Sequence, residues 1–182
     1  MSLNFNVITQ SSNDLNKVDK LFYQSFPKEE RMSINLLLYK SDLGIGELLA
    51  IYDENILIGF TYVITHEHLT YILYLAIDEC HQSKGYGSRI LSLIRNKYNQ
   101  NQLILNIETL DDNAPNYTQR LKRHKFYNKN GYYNADLQYQ DRFGEYEVMV
   151  HGKDEVNKEM FEALMKAFAG YSLFLYLEIT IK

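Results

Sequence analysis

The sequence predicts an α/β (α+β) fold built on a mixed, mostly antiparallel sheet, and three patterns carry that prediction. Between residues 47 and 77 three apolar, strand-length runs follow one another through short polar turns, as in an antiparallel meander. The third run leads through a glycine-containing loop into a helix-spaced pattern and then into a further buried-type strand, which places those two strands parallel. A later pair of runs closes as a hairpin around Asp141-Arg142-Phe143-Gly144.

Taken in order, Phe5 to Thr9 alternates apolar and polar residues as a first strand, and Ser11, Ser12, Asn13 or Asp14 can cap the following helix. Leu15, Val18, Leu21, Phe22 and Phe26 trace that helix until Pro27 stops it. The polar loop Lys28-Glu29-Glu30-Arg31 leads to Ser33, the cap of a second short helix whose Ile34, Leu37 and Leu38 face inward. Strands are expected at Glu47 to Tyr52, Ile56 to Thr65 and Thr70 to Ile77, with Asp53-Glu54-Asn55 and His66-Glu67-His68 as their turns. Ile90, Leu91, Ile94 and Tyr98 then keep helical spacing, Asn99-Gln100-Asn101 breaks it, and Leu103 to Ile107 forms a buried strand. After a polar connection containing Pro115, a helix runs from about Tyr117 to Asn130 and ends at Gly131, the residue best suited to a left-handed cap. Tyr132 to Tyr139 and Glu145 to Val150 form the hairpin. Beyond it Val156, Met160, Leu164 and Phe168 make a helix stripe ended by Gly170, and Tyr171 to Ile181 reads as one long strand. The predicted organisation is a domain over 1–152 with a helix–strand extension, 153–182, packed on it. So apolar a terminal strand should complete its own sheet or a neighbour's, which makes a homodimer through it an expectation.

Composition narrows the function. At 182 residues and 46% hydrophobic content, the chain is sized for one domain with a substantial core. Its single cysteine, Cys80, has no partner for an internal disulfide. The start, Met1-Ser2-Leu3-Asn4-Phe5-Asn6, lacks a basic stretch followed by an apolar one, so a cytoplasmic setting is expected. No apolar run has the length of a membrane span. A net charge of −4 supplies no basic field for nucleic acid and slightly favours cationic partners. His66, Glu67 and His68 offer two imidazoles and a carboxylate without a suitably spaced further ligand, so no metal is expected.

The stretch from Leu75 to Ser88 organises the chain. Gly85 and Gly87 let backbone approach a bulky anion, and the first N–H groups of the helix that begins there have no partner within the helix. The spacing Gln82-x-x-Gly85-x-Gly87 after a strand is similar to the acyl-CoA pyrophosphate loop of the GNAT N-acetyltransferase family. Ile77 and Asp78 resemble the family's Val-Asp, and Tyr86 stands where Ile is common. Glu79 replaces a frequent Pro and Ser83 a frequent Gly, so a less tightly turned loop is expected. A second motif, Phe126-Tyr127-Asn128-Lys129-Asn130-Gly131-Tyr132, resembles the family's Phe-Tyr-x-Lys-x-Gly-Phe, while Arg120 occupies the place of an Asn that often touches pantetheine.

The resemblance covers Phe5 to Val150 and implies a GNAT-like sheet with helices on both faces. It also implies that acetyl-CoA is the co-substrate, its pantetheine pairing with backbone near Leu75 and Ile77 where two strands splay apart. Gln82, Ser83, Lys84, Gly85, Tyr86, Gly87 and Ser88 are then the expected pyrophosphate cradle. The implied reaction is attack of a primary amine on the thioester through a tetrahedral intermediate, which needs an amine-binding or deprotonating group and a proton for the departing thiolate. Tyr127 is the expected acid, Glu108 the first candidate to bind or deprotonate the amine, and Glu29 and Glu30 the next. The basic run Arg120 to Lys125 is either a solvated helix face or a holder of CoA phosphates. The alternative function is a non-catalytic acyl-CoA sensor on the same fold.

Overall fold

Strand pairing in the computed structural model, which describes residues 3–182, follows the expected alternation. Met1 and Ser2, where the segment read as carrying no leader begins, lie outside the described residues. Eight strands are joined in the order β1-β2-β3-β4-β5-β7-β6-β8, antiparallel throughout except for β4 beside β5, and five α-helices accompany them. The predicted mixed, mostly antiparallel α/β architecture is the one observed. Contacts group the chain into two units, the first holding the described residues up to Thr65 with Ile72–Asn99, the second His66–Tyr71 with Gln100–Lys182.

In the first unit β1 (Leu3–Val7) pairs with β2 (Gly46–Asp53), which forms a hairpin with β3 (Ile56–His66). Helix α1 (Leu15–Ser25) buries Val18, Leu21 and Phe22, the stripe its spacing predicts. Phe22 meets Phe60 edge-on at 5.7 Å and Tyr74 at 4.9 Å, tying the helix to the sheet. The helix stops at Phe26, because a residue before proline is driven to extended backbone. A single 3-10 turn, Lys28–Glu30, leads to α2 (Ile34–Asp42), capped by Ser33, whose hydroxyl accepts from the Leu36 N–H at 3.1 Å. β4 (Leu69–Ile77) begins in the second unit and continues into this one, and α3 (Tyr86–Lys97) follows it, burying Ile90, Leu91 and Ile94.

In the second unit Leu69–Tyr71 of β4 runs parallel to Gln102–Ile104 of β5 (Gln102–Glu108). α4 (Tyr117–Lys129) follows, and β6 (Tyr133–Asp141) and β7 (Gly144–His151) form the hairpin, with Asp141 accepting from the Phe143 and Gly144 N–H groups at its tip. The carboxy-terminal segment departs from expectation. Of the predicted stripe, Leu164 and Phe168 are buried in α5 (Lys158–Tyr176) beside Phe161 and Met165, whereas Met160 is partly exposed and Val156 precedes the helix; the stretch read as one long strand from Tyr171 is helical as far as Tyr176. Gly170, at φ 70° and ψ 168°, breaks the helix there, and a second helical piece starts immediately. Tyr171 to Tyr176 is apolar nearly throughout, and such a run cannot by period alone be told from a strand. Only Thr180–Ile181 forms a strand, β8, which pairs with β6 of the same chain, so the long apolar edge expected to mediate a homodimer does not exist.

Phe161 anchors this segment: it is fully buried, with its ring 5.2 Å from that of Tyr71 and 5.7 Å from that of Tyr139. Phe161→Ala is expected to cost about 3–5 kcal/mol in denaturant unfolding. An unchanged midpoint would show that α5 is not part of the folding core.

Candidate active site

The glycine loop lies wholly in the first unit. Asp78 ends β4 and accepts from the Cys80 N–H at 2.9 Å, opening a 3-10 turn, Glu79–His81. Gln82 folds back so that its amide donates to the Ile77 carbonyl at 2.9 Å, and Lys84 donates to the Cys80 carbonyl at 2.7 Å. Gly85 sits at φ 80° as the N-cap of α3, a left-handed conformation that side chains disfavour. Ser83 also takes positive φ, 59°, so a tight turn is made with Ser in the place of the family's frequent Gly. No side chain caps α3, and this leaves its first-turn N–H groups to an anion. Tyr86, half-buried, donates its hydroxyl to Asp53 at 2.7 Å, and this bond raises its pKa. Leu75 and Ile77 are partly exposed, alternating with buried Tyr74 and Ala76.

Glu29 and Glu30 are exposed on the 3-10 turn between α1 and α2. That turn is held by Tyr74, whose hydroxyl donates to the Glu30 carbonyl at 2.8 Å and accepts from the Met32 N–H at 3.1 Å. This tie is not legible in the sequence, since its partners are more than forty positions apart.

Glu108 and Tyr127 lie in the second unit, and Arg123 relates them. The Arg123 guanidinium bonds the Glu108 carboxylate, which also accepts from the Asn116 amide at 3.0 Å. One helical turn on, Tyr127 is half-buried. Desolvation pushes its phenol up to about 12, and the Arg123 charge pulls the other way. Arg120 bonds Asn116 at 2.8 Å and the Thr109 carbonyl at 2.8 Å, fixing the connection before α4. Two cations of the basic run thus bond β5 and its loop, Arg123 while still exposed. Asn106, on the same face of β5 as Glu108, has both amide atoms buried with no partner within the protein. Gly131 closes α4 at φ 82°, with the Tyr132 N–H bonded to the Tyr127 carbonyl at 3.1 Å. His66, Glu67 and His68 gather no further ligand, and among the described residues no group of three or more His, Cys, Asp or Glu is placed to hold a metal.

Residues 44–134, half of the chain, match the family described as Acetyltransferase (GNAT) domain. A solved protein of the GNAT family from Bacteroides thetaiotaomicron superposes with a TM-score of 0.75 at 25% identity, over 90% of this chain and 94% of that one. A spermidine N-acetyltransferase chimera from Vibrio cholerae gives 0.63 at 16%, over 82% and 94%. An aminoglycoside 6'-N-acetyltransferase complexed with coenzyme A gives 0.62 at 14%, over 85% and 98%. At these identities the last two speak for the fold. No curated protein sequence matches the chain. It belongs to the GNAT family and is an acetyl-CoA-dependent acetyltransferase. Among the described residues no helix is long and apolar enough to cross a membrane.

Proposed function

We propose that the chain is an N-acetyltransferase that passes the acetyl group of acetyl-CoA directly to a primary amine. The observation that carries this reading is the uncapped start of α3, where Gly85 in left-handed backbone presents first-turn N–H groups beside Gln82 and Ser83. These residues fit a pyrophosphate: N–H donors converge without a side chain competing for them. The β4 backbone beyond Tyr71, past its pairing with β5, supplies amides for pantetheine and for the thioester carbonyl.

The amine nitrogen attacks the carbonyl carbon, the C–N bond forms, the C–S bond breaks and the nitrogen loses a proton. An alkyl amine with a pKa of about 10.4 is protonated at neutral pH, so a carboxylate must hold the ammonium and a base must take its proton. Glu29 and Glu30, exposed on their turn, serve the first role. Glu108, already bonded to Arg123 and Asn116, is the second carboxylate for this role, with acceptor sites left on both oxygens. Tyr127 is assigned to the departing thiolate on the strength of its motif, Phe126-Tyr127-Asn128-Lys129-Asn130-Gly131. Its phenol, up at about 12, lies well above a thiol's pKa of about 8.5, so it acts chiefly by hydrogen-bonding the developing thiolate. A cationic acceptor suits the net charge of −4, and two structural neighbours are named for polyamine and aminoglycoside acetylation. A cytoplasmic setting goes with this proposal.

Acetyl-CoA offered with a panel of polyamines, aminoglycosides, peptide N-termini and lysine should release free thiol with at least one class. CoA binding with no thiol release above background for any amine would remove the reading and favour an acyl-CoA sensor.

A further inference from the structure

Tyr86 stands between the two loop glycines as the first residue of α3, and its side chain turns away from the N–H groups toward the β2–β3 hairpin. There its hydroxyl meets Asp53, the last residue of β2, which follows a register shift between Ile51 and Tyr52. Such bulges re-aim side chains. Tyr52 bonds Asp14 at 2.5 Å while Asp53, only 7% exposed, bonds Tyr86.

A carboxylate buried so deeply beside an anion-binding turn is a poor choice for packing alone, because burying a charge is costly and this one carries the sign of the expected ligand. One of its oxygens, Oδ1, is buried without a partner. Oδ2 takes the Tyr86 hydroxyl, with an Arg89 nitrogen 4.0 Å away offsetting the charge. What the carboxylate provides is a hydrogen bond stronger than a neutral acceptor gives. The Tyr86 ring is also held by the Arg89 guanidinium 5.2 Å over its face and the His81 ring edge-on at 6.1 Å. Residues 82–85 therefore lie between two aromatic side chains packed on each other. A cavity of about 160 Å³ lined by Asp53, Ile56, His81 and Tyr86 adjoins the contact. It is smaller than the roughly 300 Å³ of the least ligand pockets, so it is not taken as a ligand site of its own.

We propose that Asp53 is a positioning residue for the coenzyme loop, fixing through Tyr86 the first turn of α3 and with it the N–H groups that receive the pyrophosphate. This rests on the reading of residues 82–88 as the pyrophosphate site. It also accounts for Tyr in a place where the family commonly has Ile.

The test is CoA binding by calorimetry on the full chain, with thermal unfolding of each variant alongside. Tyr86→Phe and Asp53→Ala should each weaken CoA binding about tenfold, and together no more than either alone, because both delete one bond. Asp53→Asn should recover part of what Asp53→Ala loses, since an amide oxygen still accepts from the phenol, though as a weaker, neutral acceptor. If Asp53→Ala does not fold, Tyr86→Phe, which removes one oxygen, decides alone. Wild-type affinity in Tyr86→Phe, or an Asp53→Asn as weak as a folded Asp53→Ala, would overturn the proposal. Wild-type protein that binds no CoA would overturn the loop reading itself, and the proposal with it.

Discussion

Gly87→Glu should weaken CoA binding a hundredfold or more while leaving the protein as stable as before, or slightly more so. Gly87 is the second residue of α3, within the first turn whose N–H groups are free. A glutamate there places bulk and negative charge where the pyrophosphate must sit, and both oppose binding. The same substitution is favourable to the helix: it removes a glycine, worth roughly 0.5–1 kcal/mol, and puts an anion at the positive end of the macrodipole, worth about 0.3–1 kcal/mol. Affinity and stability should therefore move in opposite directions, which general damage to the fold cannot produce. Calorimetry with CoA and a thermal melt on one preparation read both. Unchanged affinity in the folded variant would detach the coenzyme from this loop.

Tyr127→Phe should lower the single-turnover rate of acetyl transfer about a hundredfold, at the lower end of what a positioned proton donor supplies. The ring and its contacts with Phe126 and Tyr132 stay, so CoA affinity and stability should change little. The low end is expected because burial holds the phenol up at about 12, too weak an acid for complete transfer to a thiolate. The same burial keeps it protonated across the working range, so the wild-type rate should show no loss attributable to Tyr127 as pH rises to roughly 10. Steady-state turnover can conceal the effect if product release is slow, so the measurement is made on a single turnover. A Phe variant with an undiminished rate would demote Tyr127 to packing and leave Tyr117 or solvent as the proton source.

How much of this was legible in the sequence depended on how local each signal is. Ser33, Pro27 and Gly131 announced helix ends because caps and breakers act within a turn of chain, and the loop from Gln82 to Ser88 was legible because its function is carried by consecutive backbone groups. The segment after Gly170 was misread because its apolar residues are nearly continuous, and a continuous run has no period to distinguish helix from strand. Partners of the site side chains lay beyond reach for another reason. Asp53 reads as an ordinary turn residue, and only folding brings it to Tyr86, thirty-three positions away. Likewise the basic run from Arg120 to Lys125 reads as a solvated face or a holder of phosphates, and neither reading foresees Arg123 bonding Glu108 and bearing on Tyr127.

The central claim is transfer of acetyl to an amine, and it is met most directly by quantifying free CoA thiol and acetylated amine together in one reaction of wild-type protein, acetyl-CoA and a polyamine or aminoglycoside. The account predicts that the two products accumulate in equal amounts and that both vanish with Gly87→Glu. Tight CoA binding with no acetylated amine of any class, or thiol released without it, would contradict the account.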